Sequence, residues 1–160
     1  MKTTTGGDGR WPLELWQVRR VLNAVNLSTL LGLVVGLLGR VTFRRGPRGL
    51  VLGHGYRLPV PVASAFTIGD VVLTKHGPDV FDERPRLLGH EERHSWQYAA
   101  CLGLPFLPLY LLAAGWSLLR GGDPAVHNPF ERLAGLVDGG YPTLSARERR
   151  RPAAGPRRAA

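Results

Sequence analysis

The segment His90-Glu91-Glu92-Arg93-His94 combines two imidazoles and a carboxylate at a spacing that suits metal-dependent chemistry. On a helix, His90 and His94 lie one turn apart on the same face, so both rings can bind one zinc ion. A zinc ion with three protein ligands keeps an open position for water and lowers the pKa of that water toward neutrality. Glu91 could then accept the proton, so the segment predicts a hydrolytic metal site.

The residues around this segment predict a helix over 85–102, with Pro85 in its first turn. At about 100° per residue, one side of this helix collects a mainly apolar set that has Glu91 in its midst: Leu87, His90, His94, Tyr98, Cys101 and Leu102. Arg86, Glu92, Arg93 and Gln97 fall on the other side. Burying an unpaired carboxylate is costly, so the position of Glu91 indicates a neighbouring cation. The alternative interpretation is an ordinary structural helix in which Glu91 pairs with an arginine.

A catalytic zinc site needs a third protein ligand, and Glu131 is the preferred candidate. Asn128-Pro129 is typical of a helix cap followed by the first helical residue, which places Glu131 in the opening turn of a helix predicted over 128–138. His127 is an alternative, either as a ligand or as a donor to a transition-state oxyanion. Asp138 is another, because it could orient a ligand imidazole. A solvated first-turn carboxylate is the plain alternative for Glu131.

The predicted helix resembles the active-site helix of the zincin metallopeptidases, and a glutamate ligand on a later helix resembles their gluzincin branch. The resemblance implies His90 and His94 as zinc ligands, Glu91 as general base and Glu131 as third ligand. The interval between His94 and Glu131 is long for a gluzincin, and Gly135 stands where some members carry an acidic residue. The longer pattern H-E-x-x-H-x-x-Q-Y, followed by N-P-F-E at 128–131, also resembles small uncharacterised bacterial proteins.

Length, charge and cysteine content narrow the class of protein. The 160 residues are enough for one domain, and a hydrophobic content of 44% suits a globular or partly membrane-embedded protein. The net charge is +9, but residues 143–160 contribute +5 of it through six arginines and one glutamate. We predict a disordered basic tail there, and no alternation of aromatic and basic residues indicates nucleic-acid binding. Cys101 is the only cysteine and is predicted to pack in the core, about two turns beyond His94.

The remaining elements must position this helix. Residues 1–20 are predicted to form a loose N-terminal segment, and 21–142 a single domain. An apolar helix over 21–38 is either membrane-associated or buried. Two or three short strands are expected in 49–76, clearest at 65–68 and 71–74. Gly69-Asp70 between them is typical of a hairpin turn or a bulge, and His54 and His76 are expected in loops. A second apolar helix over 108–119 follows a break at two prolines.

These patterns predict an α+β, mainly helical fold with a short β-sheet before the motif helix. The function they predict is a zinc metallopeptidase-like hydrolase that acts on a peptide or protein, at a bacterial inner membrane or in the cytoplasm. A non-catalytic membrane-associated metal-binding or interaction protein is the alternative. A hydrolase of a non-peptide substrate is a third, because nothing in the sequence defines a specificity pocket.

Overall fold

The computed structural model describes residues 14–143, which form six α-helices and a four-stranded mixed sheet. The predicted α+β, mainly helical class is therefore confirmed. The predicted loose segment before residue 14 and the predicted basic tail after residue 143 lie outside the described residues. The helices are α1 (Leu15–Val25), α2 (Ser28–Leu38), α3 (Val80–Glu83), α4 (Pro85–Ala100), α5 (Phe106–Gly121) and α6 (Pro129–Ala134). The strands are β1 (Thr42–Arg45), β2 (Val51–His54), β3 (Ala65–Ile68) and β4 (Val71–Thr74).

The sheet has the strand order β1-β2-β4-β3, which leaves β3 at one edge. β3 and β4 form the predicted hairpin, with Ala65 opposite Thr74 and the turn at Gly69-Asp70. Gly69 takes a φ of 62°, a left-handed conformation that glycine adopts without steric cost. β2 pairs in parallel with β4, and β1 pairs in antiparallel with β2. The sequence analysis did not predict β1, because its Thr-Phe-Arg-Arg sequence has no run of alternating apolar residues.

Both faces of the sheet are covered, which explains why all four residues of β4 are buried. Val72 points to the face that packs against α3 and α4, where it joins Leu52, Phe81 and Leu87. Val71 and Leu73 point to the opposite face and pack with residues of α2. A third apolar cluster, built on Ile68, Tyr98 and Phe106, lies where β3 meets α4 and α5. The sheet thus forms the platform that holds the motif helix α4.

Two predictions about the N-terminal half are wrong. The segment predicted to be loose up to residue 20 is helical from Leu15, because buried Arg19 anchors α1 to the rest of the domain. Its guanidinium donates to Asp70 at 3.0 Å and to Glu92 at 2.7 Å. The single apolar helix predicted over 21–38 is instead α1 and α2, bent by 73° at their junction. Leu27 has a φ of 64° there, and the side chain of Asn26 accepts from the amide and the hydroxyl of Ser28, the first residue of α2.

The other helix boundaries differ from the predictions by a few residues. α5 begins at Phe106 rather than 108 because Pro108 occupies its first turn, where an amide N–H has no helical partner. α6 ends at Ala134 rather than 138 because Gly135 leaves the helix with a φ of 91°. The predicted cap of α6 is confirmed, since the side chain of Asn128 accepts from the amide of Phe130 at 3.0 Å. His54, predicted in a loop, is the last residue of β2.

Within residues 14–143, no single helix is both long and apolar enough to cross a membrane. Helices α1 and α2 meet that criterion only together, as a bent pair. The membrane association of the apolar helices stays a prediction.

Helix α2 approaches the sheet closely at Gly32, where there is no room for a larger side chain. A methyl group added at Gly32 would lie 2.4 Å from the carbonyl oxygen of Ile68 and 2.8 Å from Cβ of Val71. We expect Gly32→Ala to lower the free energy of unfolding by about 1–3 kcal/mol, because backbone and β-branched neighbours cannot move aside cheaply. Gly115→Ala is the matched control: Gly115 is also helical, has open space around it, and should gain about 0.5–1 kcal/mol. Urea denaturation measures both, and equal stability of the two variants would contradict the packing described here.

Candidate metal centre

Helix α4 presents His90, Glu91 and His94 to the interior, where all three side chains are buried. The helix lies against β3 on one side and α6 on the other, so its inward face is enclosed by both elements. The two imidazoles meet edge to face, with their ring centroids 4.7 Å apart and their Nε2 atoms 3.1 Å apart. The i and i+4 spacing therefore brings the two rings to one point.

The opposite nitrogen of each ring contacts a hydrogen-bond acceptor, which indicates the tautomer. Nδ1 of His90 lies 3.1 Å and 3.0 Å from the carbonyl oxygens of Ala134 and Gly135. Nδ1 of His94 lies 2.8 Å from Oε1 of Gln97, whose amide nitrogen donates to the carbonyl of Phe130. Because carbonyl oxygens only accept, each Nδ1 carries the proton and each Nε2 of a neutral ring presents a lone pair.

Helix α6 brings Glu131 to the same point. Its carboxylate is buried, with Oε2 3.3 Å from Nε2 of His90 and Oε1 3.5 Å from Nε2 of His94. Oε2 is buried without a hydrogen-bond partner among the described residues. Asn128 sets this geometry, because its cap starts α6 one turn before the glutamate faces α4.

The three residues fit a divalent metal ion. Two imidazole lone pairs and a carboxylate converge, and such a group is stabilised by a shared cation. In tetrahedral zinc, metal–nitrogen bonds of about 2.0–2.1 Å separate neighbouring ligand atoms by about 3.3–3.4 Å. The separations here are 3.1, 3.3 and 3.5 Å. His90, His94 and Glu131 thus form a buried group that could hold a metal ion.

Glu91 lies beside this group but makes different contacts. Its Oε2 accepts from the hydroxyl of Thr67 on β3 at 2.7 Å, and the same hydroxyl contacts the carbonyl oxygen of Glu91 at 3.1 Å. Burial raises the pKa of the Glu91 carboxyl, although His94, His90 and the Thr67 hydroxyl oppose the shift. A raised pKa makes a carboxylate a stronger base, so Glu91, held by the Thr67 hydroxyl, has the chemistry of a proton acceptor.

A cavity of about 280 Å³ adjoins the group. Glu91, His94 and Glu131 form part of its wall, and the other lining residues are apolar apart from Thr67 and the hydroxyl-bearing Tyr98 and Tyr110. β3 forms one side, and Phe106, Leu107 and Leu111 of α5 form another. The arrangement places a buried carboxyl group, and a group of residues that could hold a metal ion, beside a mainly apolar pocket, and pockets of small-molecule sites usually combine apolar walls with a few polar groups.

Tyr110 supports Glu131 directly, since its hydroxyl donates to Oε1. Burial and the charge of Glu131 raise the pKa of Tyr110, so the phenol stays protonated and remains a donor. We expect Tyr110→Phe to weaken zinc binding about 10- to 100-fold, because a ligand carboxylate would lose the hydrogen bond that orients it. Tyr56→Phe is the matched control, since the Tyr56 hydroxyl donates to the carbonyl of Val60 instead. Titration with a chromophoric zinc chelator measures both, and equal affinities would argue against Tyr110 as a positioning residue.

The other sequence candidates do not join the group. Asp138 pairs with Arg93 at 2.9 Å, whereas Nδ1 of His90 contacts the backbone carbonyls of 134 and 135 and Nδ1 of His94 contacts Gln97. His127 is half-buried, and the group of potential metal ligands found among the described residues does not include it. Cys101, predicted in the core, is partly buried and packs against the edge of the cluster of Ile68, Tyr98 and Phe106.

Three residues at the site escaped the sequence analysis. Gln97 was placed on the outer side of the helix, yet it contacts His94, and the i to i+3 spacing was the available signal. Thr67 and Tyr110 are distant from the motif in the chain, so only the fold brings them to Glu91 and Glu131. In the sequence, Thr67 and Tyr110 were distinguished only as hydroxyl-bearing residues in a mainly apolar strand and a mainly apolar helix, respectively.

Comparison of the chain with protein-family models, with curated proteins and with solved structures found no match. The likeness of α4 to a zincin helix therefore remains a resemblance carried by its own residues, and the function has to be argued from the geometry of this site.

Proposed function

We propose that the protein is a zinc-dependent hydrolase of the metallopeptidase type, with His90, His94 and Glu131 as metal ligands and Glu91 as general base. The observation that carries this proposal is the buried Glu91 carboxylate, which lines the same cavity as His94 and Glu131. Structural zinc sites are usually closed by four protein ligands, whereas catalytic sites use three and leave one position open. Three ligands beside a cavity match the catalytic arrangement.

The contacts of each residue indicate its role in the proposed reaction. Zinc, when bound, supplies Lewis-acid chemistry: it polarises a carbonyl oxygen and makes water acidic enough to lose a proton near neutral pH. Glu91 accepts that proton through the carboxylate that Thr67 holds in place at 2.7 Å. The same carboxyl can then pass the proton to the leaving amine. The apolar cavity wall excludes competing water and strengthens these electrostatic interactions.

An extended peptide is the substrate that this pocket suits best. β3 is an edge strand, and within residues 14–143 no strand pairs with its outer side. That edge lies along the cavity, where a peptide could add to the sheet through main-chain hydrogen bonds. The apolar lining contributed by α5 would then receive a hydrophobic side chain next to the scissile bond.

The direct test is digestion of a peptide mixture by the purified, zinc-loaded full chain, with products identified by mass spectrometry. We expect cleavage next to hydrophobic residues, its loss after treatment with 1,10-phenanthroline, and its return on addition of zinc. Absence of any product from a chain that retains zinc would favour the non-catalytic alternative, a protein that binds metal without turnover. Activity that persists in the chelator would exclude the metal from the reaction.

A further inference from the structure

Helix α1 has its polar and apolar faces reversed relative to a helix on a water-exposed surface. Its buried residues are Arg19 and Asn23. Both bind the carboxylate of Asp70, at 3.0 and 3.1 Å. The apolar side chains face outward instead: Leu15, Val18, Val21, Leu22 and Val25 are all exposed. In water the apolar stripe of such a helix faces the core, so the outer face of α1 is adapted to a different surrounding.

Helices α2 and α5 repeat this inversion. The buried residues of α2 are Ser28, Gly32 and Gly36, which let its backbone approach the sheet, while Leu30 and Leu37 point outward. Small residues inside and leucines outside are the arrangement of helices that face lipid. α5 has 16 residues, of which only Phe106 and Ser117 are buried. Its exposed side chains include Leu112, Trp116 and Leu119.

These outward faces, together with the exposed loop 58–62, define what we call the apolar surface. The turn between α1 and α2 touches the loop before α5, because a Cβ on Gly103 would lie 2.4 Å from Cγ of Asn26. Val35 of α2, Pro61 of the loop and Leu111 of α5 line one cavity. The three helices and the loop therefore adjoin one another, and α2, α5 and the loop reach the pocket.

Charge separates this surface from the rest of the domain. Residues 21–39, 58–66 and 102–119 contain no Asp, Glu, Lys or Arg. Exposed arginines stand at their borders: Arg20, Arg40, Arg57 and Arg120. Arg120 lies over the ring of Trp116, 5.6 Å from its centroid. An apolar face with tryptophan and arginine at its margin matches the layers of a bilayer, since both residue types concentrate at the lipid headgroups.

We propose that the apolar surface inserts into one leaflet of an anionic lipid bilayer, with the bordering arginines at the lipid phosphates. A second copy of the chain is the less favourable occupant, because a twofold interface would place one basic border against the other. The cavity opens into the inserted layer, since exposed Pro61 and Leu111 line it. This part of the inference rests on the proposed hydrolase function: the substrate is an apolar peptide segment that reaches Glu91 from the bilayer.

Vesicle flotation of the purified full chain tests the proposal. We expect the protein to float with vesicles of phosphatidylcholine mixed with phosphatidylglycerol, and less with phosphatidylcholine alone or in high salt. The triple variant Leu37→Glu, Leu112→Glu, Leu119→Glu changes side chains that are 66, 72 and 88% exposed, so its fold should persist. Its partition coefficient should fall at least about tenfold. Val137→Glu is the control, because Val137 is 64% exposed but lies among Glu83, Arg86 and Asp138.

The depth of Trp116 in the bilayer distinguishes insertion of the apolar surface from adsorption that depends on charge alone. Lipids brominated on their acyl chains should quench the fluorescence of the wild-type chain, and Trp116→Phe should remove most of that quenching. Failure to float, equal flotation of the triple variant, or quenching independent of Trp116 would overturn the proposal. So would a dimer in light scattering that the triple variant dissociates, which would assign the surface to a second copy. Zinc content and peptide cleavage are measured separately, so loss of the hydrolase proposal would leave the flotation result standing.

Discussion

Replacement of Glu91 by glutamine is expected to lower peptide hydrolysis by about 10²- to 10⁴-fold while leaving zinc bound. The glutamine amide has almost the same shape as the carboxylate, and it can still contact the Thr67 hydroxyl, which lies 2.7 Å from Oε2 of Glu91 in the wild type. The amide cannot, however, accept the proton of the attacking water. Removing a buried carboxylate whose pKa burial raises should also make the folded protein no less stable. Steady-state cleavage of a fluorogenic peptide measures the rate, and elemental analysis measures the zinc.

Glu92→Gln provides the matched control for this change. Glu92 follows directly on the same helix but faces the other way, where it pairs with Arg19 and Arg48. We expect its loss to reduce stability, because buried Arg19 would lose a charged partner, and to leave turnover of the folded protein unchanged. Equal loss of activity in both variants would mean that the rate reports stability rather than proton transfer. An unchanged rate in Glu91→Gln would remove Glu91 from the mechanism.

Replacement of His90 and His94 by alanine is expected to abolish zinc binding. Two of the three converging ligand atoms would disappear, so the loss of affinity should far exceed the roughly 10- to 100-fold cost of a lost supporting contact. The wild-type chain should hold one zinc ion per molecule after dialysis, and the double variant none. The melting temperature should then respond to zinc only in the wild type, because a ligand at about 100 times its Kd adds about 2.7 kcal/mol of stability.

His127→Ala is the control for this second experiment. His127 was an alternative ligand by sequence, and the structure leaves it outside the group of His90, His94 and Glu131. We therefore expect full zinc content in that variant. Zinc retained by the double variant would show that the ion binds elsewhere, and zinc absent from the wild type even after reconstitution would end the hydrolase proposal.

A large part of the site was predictable because it is local. The i and i+4 spacing of His90 and His94 depends only on helical geometry, and Glu91 on the inward side of α4 follows from the same periodicity. Asn128-Pro129 marked the start of α6 through capping chemistry that acts over a few residues. The hairpin at Gly69-Asp70 was likewise predictable, since a two-residue turn with glycine joins neighbouring strands.

The rest depended on contacts between distant parts of the chain. The helix predicted over 21–38 divides into α1 and α2 at Asn26 and Leu27, and Arg19 and Asn23 hold α1 to Asp70, about fifty residues further along. The contact of Arg19 with Asp70 also explains why residues 15–20, the end of the segment predicted to be loose, are helical. Hydrophobic periodicity could not show this, because it assumes that polar residues face water, and here they face the interior.

The sequence by itself therefore determined the chemistry available to this protein: two imidazoles and a carboxylate on one helix, and a capped glutamate on another. Only the tertiary structure decided that Glu131, rather than His127 or Asp138, meets the two histidines, and that Thr67 and Tyr110 hold the carboxylates. The physical reason is the distance along the chain over which each effect acts. Helix periodicity and caps act within a few residues, whereas a metal-binding group requires ligand atoms within a few ångströms that only the packing of α4, α5, α6 and β3 brings together.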